Sequence, residues 1–213
     1  GYRVWIMELG PDTIPGGGEA PEVLFLGCHH GDETVSVEAP FYFARYLVEQ
    51  NGTGGPASDL LDRARVLVVP CVNPWGWMND KRVDSNGEDP NRDYPYDGGM
   101  DDKGDPLTTV AASAVHALTS APSFCAGISW HTGPHFLGYA WGCHARDGES
   151  PDEGAFGSVC ELLVDEAGTY GEGEYITDRI NDVLGPVHGA WTDYAYAAAW
   201  DDESMEDGWD AVP

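Results

Sequence analysis

Lysine is nearly missing from this chain: Lys81 and Lys103 are the only two in 213 residues. Arginine does not make up the shortfall, since Lys and Arg together number 10 against 37 Asp and Glu, a formal net charge of -27 at pH 7. A chain this acidic is repelled by nucleic acid and by anionic membranes, which excludes both as partners. Its acids are spread over several segments, the pattern of a strongly solvated surface suited to high salt or to staying monodisperse. No run of 18 apolar residues occurs, so no membrane-spanning helix is expected. A leader peptide is also missing, and because the first residues already read as a strand, the chain is expected to be a processed or trimmed product. Paired CxxC spacing is absent too. Cys28, Cys71, Cys125, Cys143 and Cys160 allow at most two disulfides with one thiol left over. The first three lie in or beside apolar runs, where buried free thiols are expected rather than a thiolate metal site.

What is present fits one α/β domain spanning 1–213. The hydrophobic content of 42% is ordinary for a globular core. Short apolar runs at Tyr2 to Leu9, Glu22 to Gly27, Arg65 to Val72 and Phe124 to Trp130 read as strands, the third rich in Val and suited to burial on both faces. Helical spacing covers Val35 to Gln50, Thr108 to Leu118 and Phe156 to Ala167, the last with Val159, Leu162, Leu163 and Val164 expected inward. Alternating strands and helices predict a mixed, largely parallel sheet covered by helices on both faces. Asn73-Pro74 reads as a turn. The polar stretch Asn79 to Pro106 is too long for a plain connector and is expected to carry function. Within it, Asp101, Asp102 and Asp105 read as a solvated loop rather than a calcium site. The acidic segment 201–213 has little periodicity, and the domain is expected to be incomplete at its C-terminus. Asn51-Gly52-Thr53 is a glycosylation sequon, a hint of an extracellular, secreted setting.

The chemistry concentrates at strand ends. His29-His30-Gly31-Asp32-Glu33 follows the strand Glu22 to Gly27 directly, where open α/β sheets place their sites. Imidazole and carboxylate suit zinc, and catalytic zinc sites use three protein ligands. His30 and Glu33 can reach one ion from a single turn. His131, which ends another strand, is the natural third ligand, whereas His116, His144 and His188 read as ordinary hydrogen-bonded histidines. Arg82 and Asn91-Arg92 add a guanidinium fork and an amide that could hold a substrate carboxylate, although, taken alone, an Asn-Arg pair in a Pro-rich turn reads better as capping the turn and pairing with a neighbouring Asp.

In chain order, His-Gly-Asp-Glu (His30 to Glu33), Asn-Pro-x-Gly (Asn73 to Gly76), Arg82, Asp-x-Asn-Arg (Asp89 to Arg92) and His131 resemble the zinc metallocarboxypeptidases related to carboxypeptidase A. Asp193-Tyr194-Ala195-Tyr196 looks like that family's Asp-Trp-x-Tyr segment. The resemblance implies a carboxypeptidase-like fold and one zinc ion on His30, Glu33 and His131, with Asp89 orienting His30. It implies further that Arg82 stabilises the oxyanion, that Asn91 and Arg92 grip the substrate carboxylate, and that Thr132 contacts the substrate backbone. The activity implied is release of C-terminal amino acids from a peptide or protein by a metal-activated water. Two departures stand out. Gly185 aligns where the family carries a substrate-capping Tyr, and the general-base Glu has no clear counterpart. Glu203 and Glu206 lie in an acidic context without strand pattern, so the base is expected beyond Pro213 or absent. That leaves a noncatalytic binding or structural module as an alternative, and an amidohydrolase of acylated amino acids as a third. Assembly partners and side-chain preference are not legible, beyond Thr192 and Asp193 implying a pocket that is not wholly apolar.

Overall fold

A computed structural model describes residues 2–95, 105–119, 124–143, 149–168, 173 and 175–197, in two compact units. The first comprises residues 1–90 and 107–132, the second residues 91–106 and 133–213. Asp101, Asp102, His144, Glu203, Glu206 and the whole 201–213 segment lie outside the described residues.

The first unit is built on a four-stranded sheet of β1 (Met7–Leu9), β2 (Glu22–Gly27), β3 (Arg65–Val69) and β4 (Phe124–Trp130), in the order β1-β3-β2-β4. β2 runs parallel to both β3 and β4, and β1 closes the other edge antiparallel to β3. The expected mixed, largely parallel sheet is therefore present. β3 stops at Val69, short of the apolar run, because Pro70 has no N–H to donate to a ladder. Side chains alternate along the two central strands. Phe25, Val66 and Val68 meet Ala44 and Leu47 of helix α1 (Val35–Gln50) and Ala57 and Leu61 of helix α2 (Pro56–Leu61). Phe25 stacks on Trp130 at 5.4 Å. Leu24, Leu26, Leu67 and Val69 point the other way and are buried as well, so the centre of the sheet is covered on both faces. α1 buries one stripe only, leaving Phe41, Tyr46 and Val48 exposed.

Asn73-Pro74 opens a helix rather than a turn. Asn73 caps α3 (Pro74–Asn79) by accepting from the Gly76 amide at 3.0 Å, and Pro74 takes the first helical position, where its missing N–H costs nothing. A further helix, α4 (Val110–Thr119), begins where Thr109 accepts from the Ala112 amide at 3.1 Å.

The second unit contains a parallel pair, β5 (Phe136–Tyr139) and β6 (Ile176–Arg179), with α5 (Glu153–Ala167), α6 (Ile180–Leu184) and α7 (Trp191–Ala197). Its described core gathers Ala140, Trp141 and Tyr196, with Phe156 of α5 packed against them. The expected inward face of α5 is not the buried one: Val159, Leu162 and Leu163 are exposed, Val164 is half-buried, and Cys160 is the residue fully buried. Apolar residues fill so much of this helix that periodicity did not single out a face. Tyr139 and Phe156, stacked at 5.5 Å, set its rotation instead.

Candidate metal centre

The carboxyl ends of β2 and β4, neighbouring parallel strands, bring His30 and His131 together in the first unit. Past β2 the chain turns sharply: the Glu33 amide donates to the His30 carbonyl at 3.2 Å, placing both side chains on one side of a single turn. Gly31 lets that turn lie against α3, since a Cβ there would overlap the Gly76 and Trp77 backbone. Asn73 ties the same region together. Its amide nitrogen donates to the His29 carbonyl and to the Val83 carbonyl, both at 3.2 Å, fixing the segment that carries Arg82 beside the ligand turn.

Glu33 sits at the centre. Its Oε1 lies 2.7 Å from His30 Nδ1, and its Oε2 lies 2.9 Å from His131 Nδ1 while accepting from the Thr132 amide at 3.0 Å. One ligand atom from each of His30, Glu33 and His131 falls within 4.8 Å of the others. His30 Nε2, on the far side of the ring, meets Asp89 Oδ1 at 3.0 Å. Asp89 in turn accepts from Arg82 Nε at 2.9 Å, and Arg82 Nη1 reaches to 3.6 Å from Glu33 Oε1. Behind His131, Ser129 Oγ lies 3.5 Å from His131 Nε2 and 3.0 Å from Nδ1 of His29, which stacks on His131 at 5.7 Å.

The electrostatics follow from this geometry. Burial alone would push the Glu33 carboxyl up, but hydrogen bonds from His131 and His30 and their positive charge hold it well below the usual carboxylate range. For His30 burial works against the charged ring, and the contacts to Asp89 and Glu33 outweigh it, so its pKa is raised. His29 is wholly buried, and desolvation, aided by repulsion from His131 and His30, keeps it neutral.

This donor set fits zinc. Two imidazole nitrogens and one carboxylate converge, and Asp89, accepting from His30 Nε2–H, holds the ring so that Nδ1, which shares a proton with Glu33 here, is the nitrogen that would ligate a metal once that proton leaves. The His30, Glu33, His131 and Asp89 constellation of the sequence thus comes together, with Arg82 and Thr132 beside it. Asn91 and Arg92 belong to the second unit, on the 3-10 turn Pro90–Arg92. There Asn91 Oδ1 accepts from the Trp191 amide at 2.9 Å, and Arg92 Nη1 donates to the Asn91 carbonyl at 2.7 Å. Asp193 is fully buried and accepts from the Gly142 and Cys143 amides, each at 2.8 Å, so it braces the fold rather than facing a pocket. Ser129, His29 and Asn73's dual role escaped the sequence reading. Only the doubled His29-His30 hinted at His29, and nothing pointed to Ser129.

The family model described as zinc carboxypeptidase matches residues 1–201. Among curated proteins, carboxypeptidase D of Mus musculus is 26% identical over 175 residues, covering 74% of this chain and 12% of that protein. A zinc carboxypeptidase of Saccharothrix mutabilis subsp. capreolus is 26% identical over 237 residues, covering 90% of this chain and 53% of that protein. The crystal structure of thrombin activatable fibrinolysis inhibitor superposes with a TM-score of 0.77 at 15% identity, covering 91% of this chain and 54% of that one. The chain thus spans about half or less of the length of these relatives.

Proposed function

Given that the chain belongs to the zinc carboxypeptidase family, we propose that it forms the zinc-binding part of a peptide hydrolase that releases C-terminal amino acids. The observation that carries this reading is the convergence of His30, Glu33 and His131 within 4.8 Å, backed by Asp89. Zinc in such a site polarises a scissile carbonyl and acidifies a water. The chain's own residues supply the rest. Glu33, held ionised, and His30, oriented by Asp89, offer a pre-set pair of donors, so little reorganisation accompanies metal uptake. Arg82, half-exposed and anchored by Asp89, presents its remaining guanidinium N–H groups beside the ligands, where a positive group would stabilise developing negative charge on the carbonyl oxygen. In Asn91, the bond from the Trp191 amide fixes the carbonyl end of the side chain, whose NH2 end is a donor by chemistry. With the Arg92 fork it would grip a substrate carboxylate. Thr132 would contact the substrate backbone. The extracellular setting, with a glycan on Asn51, belongs to the same proposal and rests on the exposure of residues 51–55.

The direct test offers the zinc-loaded full-length protein one peptide as the free acid and as the C-terminal amide. Release of the last residue from the free acid only, with Arg92→Ala raising KM, supports the proposal. Cleavage of both peptides or of neither, with zinc bound, sinks it. A second reading, a noncatalytic binding module, is favoured by Gly185, which ends α6 with a φ of 75° where the family carries a capping Tyr. It calls for the full-length protein to bind the free-acid peptide, and not the amide, without turnover.

A further inference from the structure

Next to the zinc ligands, two free cysteines, Cys28 and Cys71, stand on neighbouring segments. β2 and β3 pair in parallel up to Leu26 opposite Val69, and two residues further along each chain stand Cys28 and Cys71. The chains stay side by side there, because the Val72 amide donates to the Gly27 carbonyl at 3.0 Å and the Asn73 amide to the Cys28 carbonyl at 3.1 Å. Adjacent strands lie roughly 4.8 Å apart, inside the Cα separation a disulfide tolerates. The two side chains interact, and both thiols are free. They are also unequal. Cys28 is wholly buried. Cys71 is partly exposed.

Cys28 is also joined to the ligand turn. Its Sγ–H donates to the His30 carbonyl at 3.5 Å, the same carbonyl that accepts from Glu33, and its amide donates to Ser36 Oγ at 3.1 Å. A sulfur in a disulfide has no hydrogen to donate, so oxidation would remove one of the bonds that fix the turn between two zinc ligands.

We propose that Cys28 and Cys71 are a redox pair whose closure to a disulfide, by exchange with a low-molecular-weight disulfide, loosens the zinc site. Cys71, as thiolate, attacks one sulfur of the external disulfide and releases one small thiol. The Cys28 sulfur then attacks the Cys71 sulfur of the mixed disulfide and releases the second. The two protons lost by the cysteines end on the two released thiols, and the external disulfide is the species reduced. Cys71 is the entering sulfur because it is accessible, and the buried Cys28 is the resolving one. By linkage, bound zinc protects the pair from oxidation by the same factor that oxidation weakens zinc binding.

The test uses the full-length protein, reduced and then treated with oxidised glutathione, with peptide mapping and a competitive zinc titration. Expected are a Cys28–Cys71 cross-linked peptide lighter by two hydrogens than its two reduced halves, and zinc binding weaker by about tenfold, the low end for loss of a group supporting a ligand. In Cys28→Ser the glutathione adduct should instead persist on Cys71. Absence of the 28–71 peptide while the exposed Cys125 reacts would overturn the proposal, as would a cross-link that leaves zinc affinity unchanged. The zinc arm rests on reading His30 and Glu33 as ligands. The mapping arm does not, so a reduced protein that fails to bind zinc yet forms the cross-link would indict that reading, not the thiol pair.

Discussion

Both ring nitrogens of His30 face carboxylates, and the two contacts act differently. Asp89 at Nε2 orients the ring, whereas Glu33 at Nδ1 shares the place a metal would take. Asp89→Ala is therefore expected to weaken zinc binding by about 10- to 100-fold, measured by chelator competition, with little change in the circular dichroism spectrum. The pH dependence has a definite sign. His30 is raised above its ordinary 6.5, so in the metal-free protein a proton on the ring must leave before zinc can bind. Zinc affinity should climb with pH up to that raised value and then flatten, and Asp89→Ala should move the plateau to lower pH. Metal-free stability should run the other way. The His30 contribution is full below about 6.5 and lost as pH rises through the raised value. Glu33, depressed below its ordinary value, adds stability that is present above about 4.3 and lost as pH falls through its depressed value. Thermal melts of the zinc-free protein across this range would expose an absence of either trend.

At the scale of elements, α3 shows how backbone packing serves the site. Asn73→Ala removes the cap of α3 and a buried donor to two carbonyls, and should cost about 2–3 kcal/mol in urea unfolding. Leu162→Glu on the exposed face of α5 should stay within roughly 0.5 kcal/mol, whereas Leu47→Ala in α1 should cost about 2–5 kcal/mol. That contrast would have come out reversed for α5 had the sequence expectation held. β2, β4 and α1 were legible to the residue, since their apolar runs are bounded by Gly, Pro or polar turns. α3 was not, because a six-residue helix opening with Asn-Pro looks like a turn until Gly76 is seen donating back to Asn73. β5 and β6, four residues each, are too short for periodicity to register. The ligands were legible because they sit at the ends of strands that were. Ser129 and His29 were not, since only the pairing of β2 with β4 brings them together.

Over the whole molecule, a net charge of -27 acts on folding as well as on partners. Like-charge repulsion favours expansion, and raising the ionic strength from about 0.01 M to about 1 M shortens its reach from about 30 Å to about 3 Å. The melting temperature should rise steeply with potassium chloride over this range, and a flat response would show that the acidic groups are already neutralised by bound partners or cations. The zinc site, partly buried and short-ranged, should feel this screening far less than the surface does. The most direct measurement of the central claim is therefore the zinc content of the full-length protein at high salt, compared with His30→Ala, Glu33→Ala and His131→Ala. One zinc per chain, lost in each variant while the fold persists, is the expected result. A metal-free wild type, or zinc retained in all three variants, would contradict it.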